Sequence, residues 1–341
     1  MNRKSFLSAL VPLGLTLGSF AAGVKTRTPS AKPSLAIPPY LQPGDTIGLT
    51  SPAGYISEED VRPAVQQMES WGFKILIGKT IGCRSFSMGG TDEERARDLQ
   101  DLLDNREVRA IMCARGGYGA LRIIDQLDFS RFVRYPKWII GFSDITVIHC
   151  HLNSSFHVAT LHSKMCNSFP SDWNKAEPIQ ITTIHSIRDA LMGLKMRYEA
   201  PSHGFNRAGK AKGVLVGGNL RTIENLAGSR SDLRTDGKIL FVEDTGEYLY
   251  SIDRMFWNLK RSGKLANLKG LIIGGFKIKP DDPGEEFGKS LYEIVQEKTR
   301  EYTYPVCFDF PVGHQKNNFA LKCGVQHFLE VQPTGATLRS L

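Results

Sequence analysis

Ser143 stands two residues after Gly141, at the end of the apolar segment 138–140. When an apolar strand turns sharply into a helix, the residue at the turn has an exposed side chain, and the next backbone amide points the same way. A serine in that place is suited to nucleophilic attack. The segment departs from the G-x-S-x-G pattern, because Ile145 replaces the last glycine. A structural alternative is that Ser143 or Asp144 only caps the following helix.

A second turn, residues 114–119, contains three glycines and follows an apolar segment ending at Cys113. At the carboxyl edge of a parallel sheet, such a turn lets backbone amides approach a ligand closely. Its spacing matches neither a P-loop nor the G-x-G-x-x-G fingerprint. Beside a nucleophilic serine, the amides of this turn and of Asp144 are candidate donors to an oxyanion.

A nucleophilic serine needs a base, and the base needs an orienting group. Three of the eight histidines lie on or near the helix after Ser143, where packing accounts for them: His149, His151 and His157. His314 follows Gly313 at the end of a predicted strand, and Glu243 ends the apolar segment 239–242. Loops at strand ends often carry function. Taken singly, however, each of these residues is better explained by packing or helix capping.

The elements that position these residues alternate between short apolar segments and amphipathic stretches, which is typical of βα units. We predict two α/β domains: a parallel-sheet domain with a nucleophile elbow at 37–165, and a second domain at 211–341 that supplies Glu243 and His314 across a cleft. Residues 166–210 are predicted to connect them. Predicted strands are 47–50, 74–77, 108–113, 137–140, 214–216, 238–243, 270–274 and 306–310; predicted helices are 61–71, 91–103, 184–192, 249–259 and 285–298.

Residues 1–23 have the layout of a secretory signal peptide. Arg3 and Lys4 precede an uncharged apolar run over 6–22 that ends in small residues. A transmembrane anchor is the alternative, but the run is short for one. Residues 24–36 are polar and are predicted to be a linker. We therefore expect export to the periplasm or another extracytoplasmic place, with no stable membrane insertion after cleavage.

Composition excludes several classes of protein. The formal charge is +8, yet the basic residues are scattered, whereas nucleic-acid binding needs a concentrated patch. The six cysteines form no C-x-x-C pair, which argues against zinc-ribbon and thioredoxin-like sites. We expect no nucleic-acid partner, no metal and no cofactor.

Five motifs in this order resemble the LD-carboxypeptidase family of serine peptidases, also called muramoyltetrapeptide carboxypeptidases, which include the microcin-immunity peptidases. They are Arg115-Gly-Gly-Tyr-Gly119, Gly141-Phe-Ser-Asp144, Gly217-Gly-Asn-Leu220, Phe241-Val-Glu-Asp244 with Tyr250-x-x-Asp253-Arg254, and Pro311-Val-Gly-His314. The likeness covers residues 38–332. It implies a triad with Ser143 as nucleophile, His314 as base and Glu243 as its orienting group. It also implies an oxyanion hole at Gly116, Gly117 and Asp144.

The resemblance implies a muropeptide or other cell-wall peptide as substrate. The reaction would cleave the amide between an L-centre, of diaminopimelate or Lys, and a terminal D-Ala through an acyl-enzyme. Arg115 or Arg254 could bind the free carboxylate bidentately, although Arg254 fits a structural ion pair on its helix equally well. Alternative functions are an exported amidase or esterase acting on another peptide, such as a peptide antibiotic, and a non-catalytic solute-binding protein. A homodimer is one option for assembly.

Two segments depart from the family pattern. His162-Ser163-Lys164 stands where many members have His-Gly-Pro. Leu321-Lys-Cys-Gly324 stands where Leu-Pro-x-Gly is common. Both are expected near the cleft, so they affect the predicted substrate preference more than the predicted triad.

Overall fold

Two β-sheets organise the part of the chain that the computed structural model describes, residues 35–341. The predicted signal peptide, and the predicted linker up to residue 34, lie outside the described residues. The strands are β1 Thr46–Thr50, β2 Lys74–Ile77, β3 Val108–Cys113, β4 Trp138–Gly141, β5 Thr160–His162, β6 Arg197–Pro201, β7 Gly209–Asn219, β8 Ile239–Glu247, β9 Gly270–Ile278, β10 Val306–Cys307, β11 Leu321–Cys323, β12 Gln326–Gln332 and β13 Gly335–Ser340. The α-helices are α1 Glu58–Ser70, α2 Asp92–Asp104, α3 Ala120–Ile123, α4 Ser130–Arg134, α5 Thr146–His151, α6 Pro178–Leu191, α7 Leu220–Asn225, α8 Leu249–Arg261 and α9 Leu291–Thr299.

The first sheet has the strand order β11-β5-β4-β3-β1-β2. Its first five strands in sequence pair in parallel, as the βα pattern predicts, and β11 pairs antiparallel with β5. Parallel strands covered on both faces are apolar throughout, and Ile111, Ile139 and Ile140 are fully buried. The prediction of a parallel-sheet domain that ends in a nucleophile turn is therefore consistent with this sheet.

Capping boxes fix the start of two helices in this half. Ser57 accepts a hydrogen bond from the Asp60 amide at the start of α1, and Thr91 accepts one from the Glu94 amide at the start of α2. In both, the side chain three residues on bonds back to the cap amide, so two exposed backbone donors are satisfied together. None of the helices in residues 35–341 is long and apolar enough to cross a membrane.

The second sheet is half parallel and half antiparallel, with the order β10-β9-β8-β7-β12-β13-β6. Apolar segments of the sequence predict β7 to β10, whereas the antiparallel hairpin of β12 and β13 was not predicted. Along β12, His327, Leu329 and Val331 are buried and alternate with more exposed residues. That period-two pattern could have predicted a half-buried strand.

The described chain crosses between the two sheets three times, from β5 to β6, from β10 to β11 and from β11 to β12. Strand β6 lies in the predicted connection 166–210 and is an edge strand of the second sheet. Strand β11 lies in the predicted second domain and extends the first sheet. Each sheet therefore includes a strand from outside the domain that was predicted to contain it. The division into domains at these boundaries stays a prediction.

Several predicted elements have the wrong bounds, and local backbone geometry explains two of these differences. The helix predicted from residue 285 begins at Leu291, because Ser290 caps it by accepting from the Glu293 amide, and Gly288 has a left-handed φ of +77°. The strand predicted over 306–310 ends at Cys307. Asp309 has a φ of +51° and turns the chain out of the sheet.

Candidate active site

Ser143 lies at a strained turn directly after β4. Its φ is +62°, a left-handed value that is uncommon for a residue other than glycine. Gly141 is required two residues earlier, because a Cβ there would lie 3.0 Å from Ile145 side-chain carbons. The Ser143 side chain makes no capping hydrogen bond among residues 35–341, so the helix-cap alternative is wrong for this residue. The turn has the geometry of a nucleophile elbow.

The glycine turn after β3 packs directly against this serine. A Cβ at Gly116 would lie 3.0 Å from Cβ of Ser143 and 3.2 Å from its Oγ. Gly117 is exposed, with a φ of +97°. The carbonyl of Gly116 is held by the Gly54 amide at 2.8 Å. The structure therefore brings the predicted turn to the serine, while the role of the Gly116 and Gly117 amides in an oxyanion hole stays a prediction.

The Asp144 side chain fastens the elbow to the same turn. Its Oδ2 accepts a hydrogen bond of 2.8 Å from the Ala120 amide, at the start of α3. The carboxyl is almost fully buried, and burial raises its pKa to about 6, against the lowering effect of hydrogen bonds from the Ala120 and Gly119 backbone. Because the Asp144 carboxylate is used in this contact, only its backbone amide can act as a donor in the predicted oxyanion hole.

Arg95, which the sequence analysis did not select, holds the loops around this turn. Its fully buried guanidinium donates to the Pro52 carbonyl at 2.6 Å and the Gly119 carbonyl at 2.8 Å, and it pairs with Asp92. A signal was present in the sequence: Arg95 lies four residues before the core residue Leu99 on the buried face of α2. A cation on an apolar helix face usually has a buried partner.

Glu243 and His314 form the second half of the site. Oε2 of Glu243, a fully buried residue of β8, lies 2.5 Å from Nδ1 of His314. An ionised carboxylate can only accept, so Nδ1 carries the proton and Nε2 presents a lone pair.

Gly313 allows this pair to form. Its φ is +102°, and a Cβ there would overlap the Glu243 side chain at 2.3 Å. Its amide donates to the buried Asn318 side chain at 2.7 Å. Asn318 was also missed in the sequence analysis, since nothing in its local pattern distinguishes it.

The two halves of the site meet at the elbow. The ring centroids of His314 and Phe142, the residue before Ser143, are 5.0 Å apart. At the end of β7, the Asn219 amide donates to Oγ1 of Thr146 at 3.0 Å, directly on the helix that follows Ser143. The structure therefore places the Glu243–His314 pair beside the nucleophile turn.

The two predicted carboxylate-binding arginines lie in different places. Arg115 is exposed next to Gly116, and its guanidinium donates to the Tyr55 carbonyl at 2.9 Å. Arg254 is exposed on α8, with its guanidinium 5.4 Å from the ring centroid of Tyr250. Within residues 35–341 no hydrogen bond or ion pair joins Arg254 to the triad residues. A substrate-binding role for either arginine stays a prediction.

The two parts of the chain that supply this site match two domains of one protein family. Residues 47–163 match the LD-carboxypeptidase N-terminal domain, and residues 212–329 match the LD-carboxypeptidase C-terminal domain. The chain is 30% identical over 293 residues to the murein tetrapeptide carboxypeptidase of Pseudomonas aeruginosa, covering 83% of this chain and 92% of that protein. It is 26% identical over 325 residues to the microcin C7 self-immunity protein MccF of Escherichia coli, covering 86% and 92%. The crystal structure of muramoyltetrapeptide carboxypeptidase from Oxalobacter formigenes superposes with a TM-score of 0.76 at 26% identity, covering 86% of this chain and 98% of that one.

Proposed function

This chain belongs to the LD-carboxypeptidase family, and from that premise we propose that it is a serine carboxypeptidase that removes a terminal D-Ala from peptidoglycan-derived peptides. The bond cleaved is the amide between the L-centre of diaminopimelate or Lys and D-Ala. The observation that carries the proposal is the hydrogen-bonded Glu243–His314 pair lying against the Ser143 elbow. A non-catalytic solute-binding protein would not need this convergence, and membership of the peptidase family argues against that alternative.

The proposed mechanism is acyl transfer in two steps. His314 Nε2 takes the proton of the Ser143 hydroxyl as its oxygen attacks the carbonyl carbon, and Glu243 holds the imidazolium that forms. Backbone amides at Gly116, Gly117 and Asp144 stabilise the oxyanion. The imidazolium then protonates the leaving nitrogen, D-Ala departs, and water activated by the same histidine hydrolyses the ester.

A second candidate is an amidase that acts on a peptide antibiotic. The similarity to the microcin C7 self-immunity protein favours it, because that protein shares the family and nearly the whole length of this chain. Both candidates use the same triad, so only the substrate distinguishes them. An assay that offers both kinds of substrate to one protein decides between the two.

We also propose that the protein acts outside the cytoplasm, since residues 1–23 have the layout of a signal peptide. The N-terminus of the mature protein is expected between Ala21 and Lys25. N-terminal sequencing of protein from the periplasmic fraction tests this. Recovery of a soluble cytoplasmic pool that retains Met1 to Arg3 contradicts it.

The test of activity uses a purified disaccharide tetrapeptide ending in D-Ala. We expect release of free D-Ala, and no release from the same peptide ending in L-Ala. Release of D-Ala by the parent but not by Ser143→Ala supports the proposal. A parent protein that leaves the tetrapeptide intact and hydrolyses a peptide antibiotic would replace it with the second candidate.

A further inference from the structure

Lys164 lies between the two halves of the active site. It follows β5, and the preceding residue, Ser163, donates its amide to the Gly141 carbonyl at 3.0 Å, so this segment runs alongside the elbow. Nζ of Lys164 lies 5.6 Å from the ring centroid of Phe142. The same Nζ donates to the carbonyl of Gln315, the residue after His314, at 2.7 Å.

The ammonium of Lys164 lacks a carboxylate partner. No ion pair within 4.0 Å includes it among residues 35–341, and its one hydrogen bond leaves two of the three N–H donors free. Burial first, and the nearby Lys277 second, lower its pKa to about 8, while Glu243 opposes the shift. A half-buried cation with unused donors is unfavourable on its own, and an anionic ligand would compensate it.

A cavity of about 300 Å³ opens beside this side chain. Its lining includes Ser168, Gln180 and Thr183, which offer neutral hydrogen-bonding groups, and the ammonium-bearing Lys316. Lys316 is already paired with Glu177 at 2.6 Å. Lys164 is therefore the cation of this cavity that remains available to a ligand, in the part of the chain that the structure describes.

The chemistry of the reaction determines which anion belongs there. His314 must protonate the nitrogen of the leaving amino acid, so that nitrogen must lie beside the imidazole. In a C-terminal amino acid, the free carboxylate is separated from the nitrogen by a single carbon. It must therefore fall close to His314, and Lys164 is bonded to the loop that carries His314.

We propose that Lys164 binds the C-terminal carboxylate of the amino acid that leaves, and so makes the enzyme an exopeptidase. This inference rests on the proposed function. It gives the carboxylate a different partner from the two arginines that the sequence suggested. It also gives a role to the lysine that stands where the family pattern commonly has proline.

The test compares a tetrapeptide bearing a free C-terminal carboxylate with the same peptide bearing a C-terminal amide. The parent is expected to cleave the acid more efficiently. Lys164→Met should lower kcat/KM for the acid by about 10- to 100-fold, mainly through KM, because a charge-assisted hydrogen bond is lost. Cleavage of the amide should change little, and Lys164→Arg should keep the preference for the acid.

Lys137→Met is the matched control. Lys137 is buried, its pKa is lowered to about 8, mainly by burial, and it donates to the carbonyls of Leu102 at 2.9 Å and Asn105 at 2.6 Å. It precedes β4, at the opposite end of that strand from Ser143, and has none of the contacts with Phe142 or the His314 loop that Lys164 makes. Lys137→Met is expected to keep the preference for the acid.

Each outcome has one meaning. If Lys164→Met does not fold, as judged by a thermal melt, Lys164→Gln replaces it and must lose the preference for the acid. If the parent releases D-Ala and the uncharged variant still prefers the acid as strongly, the Lys164 assignment is wrong and the proposed function stands. If the parent releases neither D-Ala from the acid nor D-alaninamide from the amide, the proposed function fails and the assignment fails with it.

Discussion

Nδ1 of His314 lies 2.5 Å from Oε2 of Glu243, although 71 positions separate the two residues in the chain. The imidazole reaches this position because Gly313 leaves room for the Glu243 side chain. The ring centroid of the imidazole lies 5.0 Å from that of Phe142. Because a buried carboxylate orients the histidine next to the serine elbow, substitutions of these residues and of their neighbours should change activity in specific ways.

Ser143→Ala is expected to abolish D-Ala release, a loss of roughly 10⁶-fold in kcat, because no other side chain replaces the nucleophile. The free energy of unfolding should change by less than about 1 kcal/mol, since the hydroxyl makes no capping bond. A release assay beside a urea titration measures both. Ser70→Ala, at an exposed site on α1, is the control. Full activity in Ser143→Ala would show that the serine mechanism is wrong.

Glu243→Gln is expected to be milder, with a loss of about 10³- to 10⁴-fold in kcat, because it disturbs the tautomer and orientation of His314 but leaves the nucleophile in place. Single-turnover assays across pH measure the effect. Glu247→Gln, at the end of the same strand, should retain parental activity. Equal losses in the two variants would mean that the β8 strand, and not the Glu243–His314 pair, is responsible.

Gly116→Ala should impair catalysis more than folding. The added Cβ would lie 3.0 Å from Cβ of Ser143, so either the serine or the glycine turn must move, and a misplaced reacting group costs about 10²-fold in rate. Gly204→Ala is the control, because a Cβ at Gly204 meets no atom within 4 Å. Measured kcat values and melting temperatures for both variants test this; unchanged kcat in Gly116→Ala contradicts it.

Arg95→Lys should weaken both stability and activity. An ammonium cannot replace the planar guanidinium that bonds the Pro52 and Gly119 carbonyls and pairs with Asp92, and unpaired buried groups cost about 1–3 kcal/mol each. Arg97→Lys, at an exposed site on the same helix, should be neutral. Chemical denaturation and the release assay together decide whether Arg95 supports the site.

Asp144→Asn should make stability less dependent on pH. The folded state raises the pKa of Asp144 to about 6, so it binds the proton more tightly than the unfolded chain does. Stability from this group is therefore present at low pH and is lost as pH rises towards 6. Between about pH 3.5 and about pH 7, the parent should lose roughly 2–3 kcal/mol relative to Asp144→Asn. Parallel pH dependences in the two proteins would contradict the raised pKa.

Local chemistry explains what the sequence could predict. The capping box of Thr91 and Glu94 fixed the start of α2, and apolar segments located β3 and β4. The elbow was visible because Gly141 and Ser143 are near neighbours. The contact of Gly313 with Glu243 was not visible as geometry, because it joins distant parts of the chain.

The elements that the sequence did not predict are mainly short strands and strands that pair with distant parts of the chain. Strands β5 and β11 have three residues each, too few for a periodic pattern. Their pairing depends on the whole fold having formed. Arg95 was missed for a related reason, since the Pro52 and Gly119 carbonyls that it satisfies belong to loops distant from it in sequence.

The pairing of β11 with β5 has a consequence for synthesis of the chain. On the ribosome, residues 46–162 emerge well before residues 321–323, so the five parallel strands of the first sheet can assemble while the outer edge of β5 is still open. An open strand edge is a template for aggregation. That edge of β5 stays unpaired in the nascent chain until β11 has been synthesised. His314 emerges only just before β11, the strand that pairs with the edge of β5. The complete triad and the closed edge of the first sheet therefore form at nearly the same point in synthesis.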